Sequence, residues 1–130
     1  MSAAYAALRG RLAAEALHTD ACTVHRPGAP VTDPETGVVV PTLTLVYTGK
    51  CKVQSATAQA ASPVAGGHVF TVESLRLDFP VSSALRTGDV ATIAASAMDP
   101  DLIGLTFRLV ELARGTNRTA DRWNVELVTA

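Results

Sequence analysis

The sequence predicts a mainly β fold, a small antiparallel β-barrel with one N-terminal α-helix, on three observations. Apolar and polar residues alternate in six or seven short runs, the pattern of strands with one buried and one wet face. Turn-forming clusters join those runs where crossover helices would otherwise stand, which makes the strands antiparallel and the architecture a barrel or a sandwich. One Pro-free stretch near the N-terminus carries helical spacing instead. With 130 residues there is enough chain for one modest core. Residues 1–130 therefore read as a single domain, with a helix over 1–18 and a barrel over 19–130 that contains a long loop at 55–68.

Ala3 to Leu17 is Ala-rich, and Tyr5, Leu8 and Leu12 fall on one helical face. A lone helix of this length is marginal in water, so it must dock on its own barrel or on a neighbouring subunit. Asp20 to Arg26 reads as the first strand, broken by Pro27-Gly28-Ala29-Pro30. Asp33 to Gly37 is a turn, with Pro34 fixing φ and Gly37 accepting a positive one. Val38 to Val40 and Thr42 to Tyr47 follow, with Pro41 placed at an edge or bulge because it cannot donate to a ladder. Thr48-Gly49 is expected to turn the chain into Lys50 to Gln54.

Ser55 to His68 reads SATAQAASPVAGGH, with no charge before the His and no periodicity. By composition it is a loop, and its length suits a functional one. Val69 to Phe79 is a long strand whose parity shifts between Val72 and Leu75, which predicts a bend or bulge. Leu85 to Asp89 is a turn, Val90 to Ala97 a weaker strand, and Asp99-Pro100-Asp101 a turn in which Asp side chains cap backbone amides. The chain closes with a hairpin from Gly104 to Val128. Leu105, Phe107 and Leu109 alternate on one strand, and Trp123, Val125 and Leu127 on the other. Phe107, Leu109, Trp123, Val125 and Leu127 are the expected core, and the phase slip at Glu111 predicts a bulge near Val110.

Composition narrows the function. Net charge is −1, which gives no bulk attraction to nucleic acid or anionic membrane. No apolar stretch approaches the ~18 residues of a membrane span, and no signal peptide is visible. A soluble protein made in the cytoplasm with two reduced thiols is expected. His18, Cys22 and His25 are the only cluster of metal-like residue types. Strand alternation sends Cys22 and His25 to opposite faces, and no second Cys/His pair is in range, so no metal is predicted. Catalytic motifs are missing, as is any nucleophile with a base at readable spacing, so neither a catalytic residue nor a cofactor is nominated. The six aromatics are too few, and too apolar in their surroundings, for a base-stacking surface.

One layout is familiar. A short helix precedes Val24-His25-Arg26-Pro27-Gly28 and the Asp33 to Gly37 turn. A strand then ends Val46-Tyr47-Thr48-Gly49-Lys50-Cys51-Lys52-Val53-Gln54, and the chain closes with Gly104 to Val110 and the Trp123 strand. This order resembles the small head-to-tail connector proteins of long-tailed bacteriophages, of the head-closure or stopper type, especially those infecting actinobacteria. The resemblance runs from about Ala3 to Thr129.

The resemblance implies a structural virion protein of the neck, a homo-oligomeric ring below the portal and its adaptor. Such a ring closes the DNA channel and docks the tail terminator or tail tube. It implies no enzymatic residues. By position, the projecting channel loop of such proteins corresponds to Ser55 to His68, with Ser55, Gln59, Ser62, Pro63, Gly66, Gly67 and His68 as candidates near the channel DNA. Tyr5, Leu8, Leu12, Arg26, Pro27 and Pro41 are candidates for contacts between subunits. Two other readings stay open: a tail-terminator or tail-completion protein of the same neck, and a small ligand- or nucleic-acid-binding β-barrel.

Overall fold

The computed structural model describes residues 2–65 and 68–128, with side chains described outside 56–74. Helix α1 (Ala3–Ala16) is followed by strands β1 (Asp20–Thr32), β2 (Val39–Ala65), β3 (His68–Phe79), β4 (Val90–Ala95), β5 (Thr106–Leu112) and β6 (Asp121–Leu127). The strands close into a barrel in the order β1-β2-β3-β6-β5-β4, with every neighbour antiparallel. Closure removes the open edges that make a small sheet a template for aggregation.

Alternation fills the barrel. Cys22 and Val24 come from β1, Cys51 from β2, Leu77 and Phe79 from β3, Ala91 and Ile93 from β4, Phe107 and Leu109 from β5, and Trp123 from β6. Tyr47 packs edge-on against Phe79 with centroids 5.5 Å apart. Phe107, Leu109 and Trp123 are buried, and Val125 is half-buried. Leu127, expected in the core, is 48% exposed. The reason is in the pairing: β6 meets β3 only from Asp121 to Val125, so Leu127 lies past the barrel wall on that side. The bulge in the closing hairpin falls between Leu109 and Glu111.

Four local expectations give way. The first is the break at Pro27 to Pro30, through which β1 runs on to Thr32. β4 pairs with β1 only as far as His25, so the prolines lie where the outer edge of β1 needs no donor. Pro41 lies at the register shift between Gly28 and Val31, as a residue without an N–H should. The second is the turn at Thr48-Gly49, where the strand continues with Gly49 opposite Cys22. A Cβ on Gly49 would sit 3.1 Å from the Tyr47 Oη, which donates to the Lys50 carbonyl at 2.6 Å. The ring lies over the glycine and keeps it in the strand. The third is the bulge between Val72 and Leu75. Thr71–Asp78 pairs in unbroken register with Lys52–Gln59, and the change of parity marks the point where β3 leaves β6, at Leu75.

The fourth is the loop at 55–68. Backbone pairing continues from Ser55 opposite Leu75 to Gln59 opposite Thr71, then from Val64 opposite Val69 to Ala65 opposite His68. The segment is the far part of a β-hairpin. It has no periodicity because a two-stranded ribbon has no buried face to impose one. Gly66 and Gly67 lie outside the described residues.

Candidate functional surface: two ribbons, a helix ridge and a buried polar cluster

Strand β2 is longer than the barrel needs. Its middle forms the wall, and each end continues as half of a two-stranded ribbon. In the first ribbon β1 pairs with β2 from Arg26 opposite Thr44 to Thr32 opposite Val39, with no third strand alongside. The tip is set by Asp33, whose Oδ1 accepts the Glu35 N–H at 2.9 Å, while the Gly37 N–H donates to the Asp33 carbonyl at 2.8 Å. Gly37 has φ +71°, the left-handed value that glycine tolerates. The hydrogen bonds from Glu35 and Thr36 hold the Asp33 carboxyl below its usual range.

A bulge decides which face of this ribbon is apolar. Val24 pairs with Tyr47, but His25 pairs with Leu45, so Val46 is the extra residue. One extra residue moves the following side chains to the other face. Odd-numbered residues of β2 point into the core in the barrel and outward in the ribbon. Val39, Leu43 and Leu45 are therefore more than half exposed, together with the exposed Pro41 and, opposite Leu43, Pro27.

The base of the ribbon is clamped. Buried Asp89 takes Arg26 Nε at 2.9 Å on one oxygen and Nη2 at 3.0 Å on the other, and also accepts the Arg86 N–H at 2.8 Å. The side-chain hydrogen bond to Asp89 is what raises the Arg26 pKa. Arg26, a candidate for contacts between subunits, forms this internal pair and keeps its side chain 30% exposed. Beside it, Arg86 opens onto a groove of about 760 Å³ shared with Leu85, Val110, Glu111, Arg114 and Trp123. Among the described residues, neither Arg86 nor Arg114 has a carboxylate at ion-pair distance.

The second ribbon is the remainder of β2 with the first part of β3, from Ser55 opposite Leu75 outward. Ser55 is exposed. Gln59, Ser62, Pro63 and His68 sit on its backbone; their side chains are outside the described set. No Lys or Arg occurs between Lys52 and Arg76.

Helix α1 is capped by Ser2, whose hydroxyl accepts the Tyr5 N–H at 3.1 Å. It docks through its small face. Gly10 meets the β5–β6 loop so closely that a Cβ would stand 2.7 Å from the Thr119 methyl, and Arg11 Nε donates to the Arg118 carbonyl at 3.2 Å. Tyr5, Leu8 and Leu12 consequently form an outward ridge, each at least half exposed.

Beyond the helix the chain enters β1 through buried His18 and Asp20. Burial pushes the His18 imidazole pKa down, against the pull of Asp78 and Glu15. Asp78 takes a hydrogen bond from Gln54 Nε2 and lies 3.7 Å from Arg122 Nε. His18 Nδ1 and Asp78 Oδ1 have no hydrogen-bond partner. Among the described residues no group of three potential ligands is placed to hold a metal ion.

The two thiols are free and buried, and the Cys51 thiol is pushed far up by its hydrogen bond with Cys22 and by burial. Burial likewise pushes the Tyr47 phenol up to about 12. Neither the Cys51 thiolate nor the Tyr47 phenolate forms near neutral pH, so these two groups act as packing. The Asp99 carboxylate accepts the Asp101 N–H at 3.3 Å and so caps the short 3-10 turn at Pro100–Leu102. Among the described residues no helix is long and apolar enough to cross a membrane.

Comparison with known proteins bears on this surface, because one match spans both ribbons, the barrel and the second half of the helix. Residues 10–126 match a family described as a family of unknown function, DUF6093. The chain belongs to that family. The DUF6093 match begins at Gly10, the residue that seats the helix, and ends at Glu126 in the last strand. A search of curated proteins finds no match to this DUF6093 chain.

Proposed function

We propose that this protein is a stopper of the neck of a long-tailed phage: a homo-oligomeric ring below the portal and adaptor that closes the DNA channel and docks the tail. The observation that carries the reading is the second ribbon. It continues the wall of a closed barrel outward by roughly 23 Å, at 3.3 Å per residue along β3, in the chain position where such connectors carry their channel element. Its charge suits that place. A basic ribbon would grip phosphates with salt-dependent affinity and slow ejection, whereas this one has no Lys or Arg. Copies meeting across the axis hold one another weakly, and symmetry multiplies the contacts.

The test shortens the ribbon without disturbing the barrel. Ala58 pairs with Val72, so residues 59–71 can be replaced by Asn-Gly, the turn that suits a two-residue hairpin. Heads carrying the shortened protein should assemble the ring and lose packaged DNA before tail attachment. Full DNA retention with a correctly assembled ring overturns the gate. A tail terminator lies beyond the closure point, so the same truncation would then spare retention and disturb tail joining.

A further inference from the structure

We propose that the acidic tip of the first ribbon docks in the Arg86–Arg114 groove of a second copy of this chain. The inference deepens the ring reading, and rests on it only for the existence of a homo-oligomer.

Three observations carry it. First, a two-stranded ribbon alone is marginal in water, and this one leaves both edges unpaired and its apolar stripe outward. Val39, Leu43 and Leu45 share the outward face and are each more than half exposed. At roughly 100 Å² for a fully exposed side chain these three offer close to 200 Å² on one face, which a partner can cover.

Second, charge is complementary. Between Pro27 and Gly49 the only charged residues are Asp33 and Glu35, at the tip. The groove presents Arg86 and Arg114 against a single carboxylate, Glu111, which is not at ion-pair distance from either, beside apolar Leu85 and half-open Val110; its balance is positive. Asp33 is occupied by its own turn, which leaves the carboxylate of Glu35 for a partner.

Third, the geometry forbids the contact within one chain. The groove borders the ribbon's own base, sharing Arg86 with the hollow around Arg26 and Pro27. The ribbon carries its tip roughly 20 Å from Arg26 along β1, at 3.3 Å per residue. Each chain thus owns one acidic tip and one basic groove that cannot meet each other. A contact from the tip of one copy to the groove of the next is heterologous and closes into a ring, or is reciprocal and closes into a pair.

The experiment is a charge-reversal exchange on the full chain, read by sedimentation velocity at matched protein concentration. Glu35→Arg leaves the Asp33 turn intact and cancels the net negative charge of the tip, placing a cation there. Arg114→Glu changes an exposed side chain and makes the groove acidic. Wild type should self-associate. Each variant alone should associate at least roughly tenfold more weakly, because the attraction of tip for groove is lost in the first and turned to repulsion in the second. An equimolar mixture should recover assembly, since each tip then finds an opposite groove. Circular dichroism of each variant confirms folding.

An oligomer that neither reversal weakens overturns the contact and leaves the ring standing. Reversals that weaken assembly without recovery on mixing also overturn it, since the pairing is then not tip to groove. A wild type that is monomeric at every accessible concentration overturns both contact and ring. Failure of channel closure itself is read separately, by DNA retention in heads.

Discussion

Trp123 offers the sharpest test of how the barrel is held together. Its side chain is 3% exposed, on a strand flanked by β3 through Leu77 and by β5 through Leu112. Truncating it to Ala removes a large ring from a closed wall that has little freedom to collapse, which costs about 3–5 kcal/mol. The indole Nε1 is buried without a hydrogen-bond partner. An orphaned donor of that kind costs about 1–3 kcal/mol. Trp123→Phe deletes the donor while losing about 40 Å³, worth about 1 kcal/mol at ~24 cal/mol per Å³. The two terms offset each other, so the Phe variant should lie within about 1 kcal/mol of wild type. Urea unfolding followed by far-UV circular dichroism suits both variants, because fluorescence disappears with the indole. The scans belong at one protein concentration, since self-association shifts apparent stability. An Ala variant with an unchanged midpoint would refute the burial argument. A Phe variant as unstable as the Ala variant would refute the offset by showing that Nε1 has a partner.

Two further outcomes follow from the helix and its entry into the barrel. Gly10→Ala gains about 1 kcal/mol of helix propensity yet should destabilise, because the new Cβ would stand 2.7 Å from the Thr119 methyl. Thr119→Ser removes that methyl and keeps the hydroxyl that accepts from Arg122, so the double variant should melt above wild type; a melting temperature below both singles would contradict the docking. His18 has a folded pKa below its ordinary 6.5, chiefly through burial, with Asp78 and Glu15 opposing and Lys52 and Arg122 reinforcing the shift. The unfolded chain then binds the proton more readily, so the stabilising contribution is complete above about pH 6.5 and is lost as the pH falls towards the folded value. His18→Gln should flatten the melting temperature between about pH 7 and pH 5, and an unchanged slope would assign it to other groups.

What could be read from the sequence was whatever a buried face imposes. Phe107, Leu109 and Trp123 announce the closing hairpin because each lines the barrel, and the phase slip at Glu111 marks a bulge that exists. Pro41 marks the irregularity in β1–β2 pairing for lack of an N–H. Pattern failed where no face is buried. The second ribbon carries small residues in no order, since pairing alone holds it, and composition there resembles a loop. Gly49 resembles a turn until Tyr47 is seen lying across it. The helical wheel groups Tyr5, Leu8 and Leu12 correctly but cannot say which way they face. Close approach to Thr119 requires the Gly10 side, so the larger residues are left outside. The groove at Arg86 and Arg114 had no signal in the linear chain, because its walls come from three separated segments, 85–87, 110–114 and 123–124.

The sharing of β2 between wall and ribbons has a consequence for how this molecule can vary. Lengthening a ribbon by one residue on each of its strands advances the tip by about 3.3 Å and inverts which face it shows; two on each strand advance it by about 6.6 Å and restore the face. Neither change touches a barrel position, since no third strand pairs beyond His25 on one side or before Leu75 on the other. Reach is therefore a dimension that can be altered in discrete steps, separately at each end, while the barrel keeps its diameter and its core. Paired insertions and deletions should concentrate near the Asp33 turn and the Gly66-Gly67 segment, and odd-numbered ones should demand a compensating bulge.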